Sequence, residues 1–411
     1  MRKTLIYQDP AGRKATYRWT IRVTTILLFF LLFRPTLFMY NQRLRYYYNL
    51  IEVAGLALYI CYGVAGIIYK KRVSKYLAVV ILWQGVRLFS VALNDMSMAG
   101  YFRAAASVLC IFFYIDWAGK KNYSELLKSI SFCVIVYAAI DMAMMVSTGE
   151  LGIFPEMIKS TGTPLYFVNG KFQSSYLQLF LSMVAVLNLE KRVSGLKRFV
   201  KYIIYGALIA INIVVTQYVK CTTGTIIVVL FWIAVFIPLI RKTISRPYKF
   251  WGLIVALNLL IVVFQVTLSS NMFQSFIENI LDKQVTLTGR TDIYSAFSSV
   301  MRGHWLLGHG VGNKAILDAT GAQNAQNVFL EEITVSGLAG LISLIYILRK
   351  TISHKLLSDQ NIKAVVFVSG ILGFFIAGIV EVCFDDWFYL LVALAFAYQH
   401  QLPPRTEQVF N

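Results

Sequence analysis

Two groups of side chains in this sequence are equipped for chemistry. The stretch TGRTDIYSAFSSVMRGHWLLGHGVG, residues 288 to 312, sets Arg290, Asp292, Arg302, His304 and His309 among glycines, in a chain otherwise rich in Leu, Ile, Val and Phe. The second group, Arg34, Glu52, Arg87, Arg103, Asp141, Lys220, Glu331, Glu332 and Glu381, stands inside or at the ends of long apolar runs. Arginine presents a planar fork of donors that matches phosphate oxygens, and lysine presents a point charge. A carboxylate takes a proton from an attacking hydroxyl, more readily where burial raises its pKa. Such a set suits an anionic ligand handled together with proton transfer.

Other motifs point to less. Gly308, Gly310 and Gly312 in GHGVG permit tight turns, but the strand and helix that would flank a dinucleotide fingerprint are missing. His304 and His309 have no Cys, Asp or Glu at a matching spacing, so no metal is expected. Cys61, Cys110, Cys133, Cys221 and Cys383 are odd in number, lack a CxxC spacing and read as small apolar residues. Ser336 with Gly340, and Ser369 with Gly373 and Ala377, form rows of small residues at helical spacing that favour close helix packing.

The elements that must position these groups follow from composition. Of 411 residues, 58% are hydrophobic and 14% charged, with a mean hydropathy of +0.64. That leaves too little polar surface to cover a water-soluble globule, and the chain belongs in a membrane. Apolar runs long enough to cross about 30 Å of hydrocarbon fall near 20–39, 48–69, 76–93, 99–118, 126–147, 173–189, 199–218, 223–240, 249–268, 326–348, 362–382 and 386–400. The expectation is an all-α polytopic membrane protein of about twelve transmembrane helices, a single transmembrane domain spanning 1–411. Its first span follows a basic leader and meets Arg34 and Pro35 rather than a small-residue cleavage site, so it reads as a retained anchor.

Orientation follows from the cations, because Lys and Arg in short loops stay on the cytoplasmic side. Lys70, Lys71, Arg72 and Lys75, then Lys120 and Lys121, then Lys191, Arg192, Lys197 and Arg198 mark that side. Arg241, Lys242, Arg246 and Lys249, then Arg349, Lys350, Lys355 and Lys363, continue the pattern. Both termini are therefore expected in the cytoplasm, with a large extracytoplasmic loop at 269–325 between helices 9 and 10. The formal charge of +19 is accounted for by this bias and by attraction to anionic lipid, and nucleic acid is not an expected partner. Loops of that length are functional or disordered, and Trp305, Leu306 and Leu307 favour an ordered one resting on the bundle. The deep charges then cluster towards the outer face. Charges within a bilayer face a partner or water, so a polar chamber open to the outside is expected, with snorkelling the alternative for Arg34, Glu52 and Arg103.

Thr288-Gly289-Arg290, Leu306 to Gly312, and AQNVFLEEITVSGLAG at 325 to 340 succeed one another after many spans. This order resembles the bacterial O-antigen polymerase and O-antigen ligase (Wzy-like) superfamily of polytopic membrane glycosyltransferases. The ligase-type pattern is His, then Asn, Ser or Gln, nine residues, Gly, two residues, and Gly, Thr or Val. Gln326, Asn327, Gly337 and Gly340 fit it with one departure: Gln326 stands where the histidine would be. The resemblance covers the whole topology but is sharp only from about 288 to 340.

The resemblance implies transfer of a glycan from undecaprenyl diphosphate to an acceptor on the outer face of the bacterial plasma (inner) membrane, with no cofactor, nucleotide or metal. The acceptor is another lipid-linked repeat unit in a polymerase of capsule, exopolysaccharide or O-antigen, and lipid A core in a ligase. Flippase and chain-length regulator proteins are the further partners it implies. In an inverting displacement the leaving diphosphate gathers negative charge, which pre-positioned cations stabilise. Arg290 is carried over to that task, and Lys220, Arg87 and Arg302 join it by charge and depth. Gln326 orients by hydrogen bonds alone, beside Asn327. Glu331, four residues on and on the same helix face, is the expected base, with Glu332, Asp292 and His304 as rivals. His304, His309 and Asp292 are placed at the acceptor sugars. The missing histidine favours polymerase over ligase. A lipid-linked sugar flippase or secondary transporter remains a different class; it commonly has two similar halves around a midplane site, and no internal repeat is evident here.

Overall fold

The structure, a computed structural model, describes residues 10–70, 73–158, 164–189, 195–268, 290–358 and 361–402. With no water in hydrocarbon to satisfy backbone groups, long apolar runs satisfy them internally as helices. The described residues contain no strand, only an isolated bridge between Tyr166 and Asn169. In chain order the helices are α1 (Pro10–Leu32), α2 (Leu37–Tyr40), α3 (Gln42–Lys70), α4 (Lys75–Leu93), α5 (Met98–Thr148), α6 (Lys171–Leu189), α7 (Leu196–Tyr218) and α8 (Thr222–Phe236). They continue as α9 (Pro238–Ile244), α10 (Pro247–Leu268), α11 (Arg290–Val300), α12 (Ala315–Thr320), α13 (Val328–Thr351), α14 (His354–Ser358), α15 (Ile362–Gly378) and α16 (Asp386–Gln399).

Among the described residues, six stretches are long and apolar enough to cross a membrane: Gln42–Tyr69, Lys75–Leu93, Met98–Leu151, Lys171–Leu189, Leu196–Tyr218 and Val328–Ser358. A seventh counts if α8 and α9 form one span, bent by 102°. Pro238 explains that bend: it lacks an N–H and forces the preceding Ile237 into extended backbone (φ −92°, ψ 108°). Two expected spans, 99–118 and 126–147, are joined in α5, which breaks at Asn122 (φ −161°, ψ 88°). There the Asn122 side chain accepts from the Glu125 N–H at 3.1 Å, capping the second half just after Lys120 and Lys121.

The chain divides into two compact units that interleave in sequence. Unit one comprises Met1–Gly66, Phe113–Thr225 and Phe396–Asn411, and unit two Ile67–Phe112 and Ile226–Ala395. In unit one, Arg34, Glu52 and Asp141 find partners. Arg34 is ion-paired with Glu52 and lies over the Tyr48 ring at 4.5 Å. Asp141 is fully buried and accepts from the Val168 N–H at 3.1 Å, holding a turn that Thr36 also grips through Phe167 and Asn169. Proximity in the fold, invisible in the sequence, neutralises Arg34 and Glu52 and bonds one oxygen of Asp141.

In unit two, α4 packs along α13. Tyr76 and Thr351 share a hydroxyl hydrogen bond of 2.7 Å at one end, and Ser90 donates to the Val335 carbonyl at 3.0 Å towards the other. Gly373 of α15 approaches Ile227 closely, a Cβ there standing 2.8 Å from Ile227 Cγ2.

Candidate functional site

The site is built on an interruption in α13. At Gly337 the backbone turns to φ 66°, ψ −168° inside the helix, a region open in practice to glycine alone. Two helical hydrogen bonds are thereby lost, from Leu338 N–H to the Thr334 carbonyl and from Ala339 N–H to the Val335 carbonyl. The glycine-rich segment supplies the replacements. His309 N–H donates to Thr334 O at 2.7 Å and Gly310 N–H to Val335 O at 2.9 Å, while Leu338 N–H donates to Trp305 O at 2.8 Å and Ala339 N–H to Leu306 O at 3.1 Å. Asn94, the C-cap of α4, adds a bond to the Gly308 carbonyl at 3.1 Å. No side chain fits at this junction: a Cβ on Gly337 stands 2.2 Å from Leu306 O, and one on Gly308, 2.6 Å from Ser336 N.

Residues 290–325 are therefore not a bare loop. Ile293, Phe297 and Met301, spaced four apart along and just past α11, are buried with Ile316 and Ala325, against Leu330 and Ile333 of α13. Positions 269–289, including Thr288 and Gly289, lie outside the described residues. Arg290 is the first residue of α11, and its side chain too lies outside the description. Asp292, in the first turn, complements the helix dipole. Both Asp292 and Arg302 are exposed.

The interior is organised by Glu332. It is buried, accepts from the Trp83 indole N–H at 2.8 Å and from the Ser336 hydroxyl, and faces Arg87 at 3.5 Å. Arg87 in turn lies 4.9 Å over the Trp83 ring. Breaking one partner of such a buried pair costs about 3–5 kcal/mol. Arg87 is thus paired with Glu332 through one end of its guanidinium. Gly340 serves the same cluster: a Cβ there stands 1.8 Å from Ser336 Oγ and 3.0 Å from Glu332 Oε1. The Ser336–Gly340 row that reads as a helix-packing surface makes room within its own helix for the serine to reach Glu332.

Gln326 and Asn327 form the entrance to α13. Asn327 is its N-cap, accepting from the Phe329 and Leu330 N–H groups at 2.9 and 3.1 Å. Its amide donates to Ile379 O at 3.2 Å and Asn258 Oδ1 at 3.3 Å. Gln326 holds a left-handed backbone (φ 50°) and binds Asn324 Oδ1 through its amide at 3.0 Å. Glu331 accepts from the Ala325 N–H at 2.9 Å, bracing the same entrance. Glu332 meets α4 near the middle of its 19 residues, and Asn327 meets α10 near the middle of its 22.

His304 and His309 stack at 3.9 Å between ring centroids. His309 Nε2 lies 3.0 Å from the Val300 carbonyl, and since a carbonyl only accepts, that nitrogen carries the proton. Burial pushes the His309 ring below the ordinary histidine pKa and the neighbouring His304 adds to this, against the opposing bond to Val300. No group of three or more His, Cys, Asp or Glu that could hold a metal is found among the described residues. Lys220 belongs to unit one, exposed at a tight turn with φ 54°. No family model and no curated protein matches this chain. What carries weight at this site is its own geometry, in which a Gly308–Gly312 turn and a Gly337–Gly340 helix segment, separate in sequence, are hydrogen-bonded into one structure. Trp83, Ser90 and Asn94 belong to it as well. Trp83 and Ser90 sit in an apolar run whose hydropathy gave no sign of their polar partners.

Proposed function

We propose that this protein polymerises undecaprenyl diphosphate-linked oligosaccharide repeat units on the outer face of a bacterial plasma membrane. The observation that supports it best is the docking of Leu306–Gly312 on the break at Gly337, since these two segments carry the resemblance to the O-antigen polymerase and ligase superfamily. Twelve spans with both termini cytoplasmic, and the 269–325 region outside, belong to the same proposal.

In the reaction, an acceptor sugar hydroxyl forms a bond to the anomeric carbon of the donor glycan. The bond from that carbon to the diphosphate oxygen breaks, its electron pair leaving with undecaprenyl diphosphate and inverting the anomeric centre. Arg290, with Arg302, carries the charge developing on the diphosphate. Glu331, half-buried at the entrance to α13, takes the hydroxyl proton, while Gln326 and Asn327 shape the entrance and His304, His309 and Asp292 face the acceptor. Arg87 acts through Glu332, which it neutralises. Chain elongation in membranes expressing Arg290→Ala or Glu331→Gln tests the assignment. Loss of long chains at normal expression is expected, and normal output from either variant removes that residue from its role.

A carrier of lipid-linked sugars is the second reading. A helix broken at Gly337 beside a polar cluster at mid-height of its neighbours is the type of binding site that transporters build. The two compact units, each assembled from separated stretches of sequence, do not correspond to an N-terminal and a C-terminal half.

A further inference from the structure

Glycosyl transfer makes no use of a groove at the far end of α13. Arg349 lies eleven residues past Leu338, about 17 Å of helix. There the last turns of α13 and the first turns of α10 enclose a cavity of about 750 Å³, within the range of small-ligand sites. Tyr248, Trp251 and Tyr346 line it, with Arg349, Lys350 and His354 beside them, and no carboxylate is among its lining residues. Arg349, Lys350 and Tyr248 are exposed, and Lys350 stands 5.3 Å over the Tyr346 ring.

This end of unit two is basic throughout. The Tyr76–Thr351 hydrogen bond brings the start of α4, with Lys75, to the same level, and Lys249 stands in the first turn of α10. Exposed aromatics and cations at one level are the composition of a membrane–water interface. The occupant must offer an anionic head to the cations and an apolar body to the aromatic walls. A free phosphate covers only the first.

We infer that this groove binds one anionic phospholipid, its phosphate between Arg349 and Lys350 and the upper parts of its chains against Trp251 and Tyr346. The inference needs the helices to lie in a membrane and is independent of the reaction proposed above.

Native mass spectrometry of the full chain, delipidated in neutral detergent and titrated separately with phosphatidylglycerol, phosphatidylcholine and inorganic phosphate, tests it. One phosphatidylglycerol is expected to be retained in preference to phosphatidylcholine, with inorganic phosphate bound far more weakly. Arg349→Gln with Lys350→Gln is expected to weaken phosphatidylglycerol binding roughly 30-fold, the effect of removing two interfacial cations. The exchange Arg349→Lys with Lys350→Arg keeps it within a few-fold, and Lys197→Gln with Arg198→Gln in unit one leaves it unchanged. Tyr248→Ser, which removes an exposed wall and one exposed hydrogen bond from Arg246, is expected to lose several-fold and gives a second test should the double variant not fold. Equal retention of both lipids, inorganic phosphate bound as tightly as phosphatidylglycerol, or unchanged retention in the Arg349/Lys350 or Tyr248 variants overturns the inference.

Discussion

Replacing Gly337 by alanine tests the junction between the glycine-rich segment and α13. If the break persists, an L residue at φ 66°, ψ −168° carries about 1–3 kcal/mol of backbone strain. Its Cβ also drives Leu306 away, surrendering the four backbone bonds between Trp305–Gly310 and α13, about 4 kcal/mol at about 1 kcal/mol each. If α13 straightens instead, Leu338 and Ala339 regain helical partners. The strain disappears, and the net loss is two bonds, about 2 kcal/mol. The cheaper route governs, so Gly337→Ala is predicted to cost about 2 kcal/mol and to free the segment. Hydrogen exchange read at His309 and Gly310, with thermal unfolding in detergent, measures both effects. Gly303→Ala is the control, since Gly303 has φ 83° but nothing within 4 Å of an added Cβ; it should carry only the left-handed penalty of about 1–2 kcal/mol and leave those amides protected. Protection at His309 and Gly310 equal to that of the control would refute the proposed coupling.

Further outcomes follow from individual contacts. Trp83→Phe keeps a ring under Arg87 but removes the donor to Glu332, and is expected to cost about 1.5–3 kcal/mol, the worth of a bond to a charged group, in thermal unfolding. Gln326→His is expected to fold normally, because histidine tolerates the left-handed backbone at this position, and to give the proposed elongation a pH dependence near about 6.5 absent from the parent. The folded-state pKa of His309 lies below its unfolded value, so the unfolded chain binds more protons between the two and stability rises with pH there. Stability should thus hold above about pH 6.5 and fall as the pH drops through that value, and the loss should shrink in His309→Gln, as unfolding midpoints between pH 7.5 and 5.5 would show.

Apolar run length located the helical segments because backbone bonding in hydrocarbon leaves few alternatives to helix. It could not show that Asn122 interrupts one long element or that Pro238 folds α8 against α9 by 102°, since hydropathy averages over single residues. The site was legible where residue type dictates geometry: Gly308, Gly310 and Gly337 all take positive φ. Partnerships were not legible. Trp83 and Arg87 meet a glutamate some 245 residues away. Gly340 illustrates the same limit, for its small size serves Ser336 within the helix as well as any neighbour outside it.

Reconstitution tests the central claim most directly. The purified protein in liposomes, given an undecaprenyl diphosphate-linked repeat unit with neither nucleotide nor metal added, is predicted to produce longer lipid-linked chains by mass analysis, and Arg290→Ala is predicted to abolish them. Movement of the same lipid between leaflets with no chain growth would contradict the account and establish a carrier.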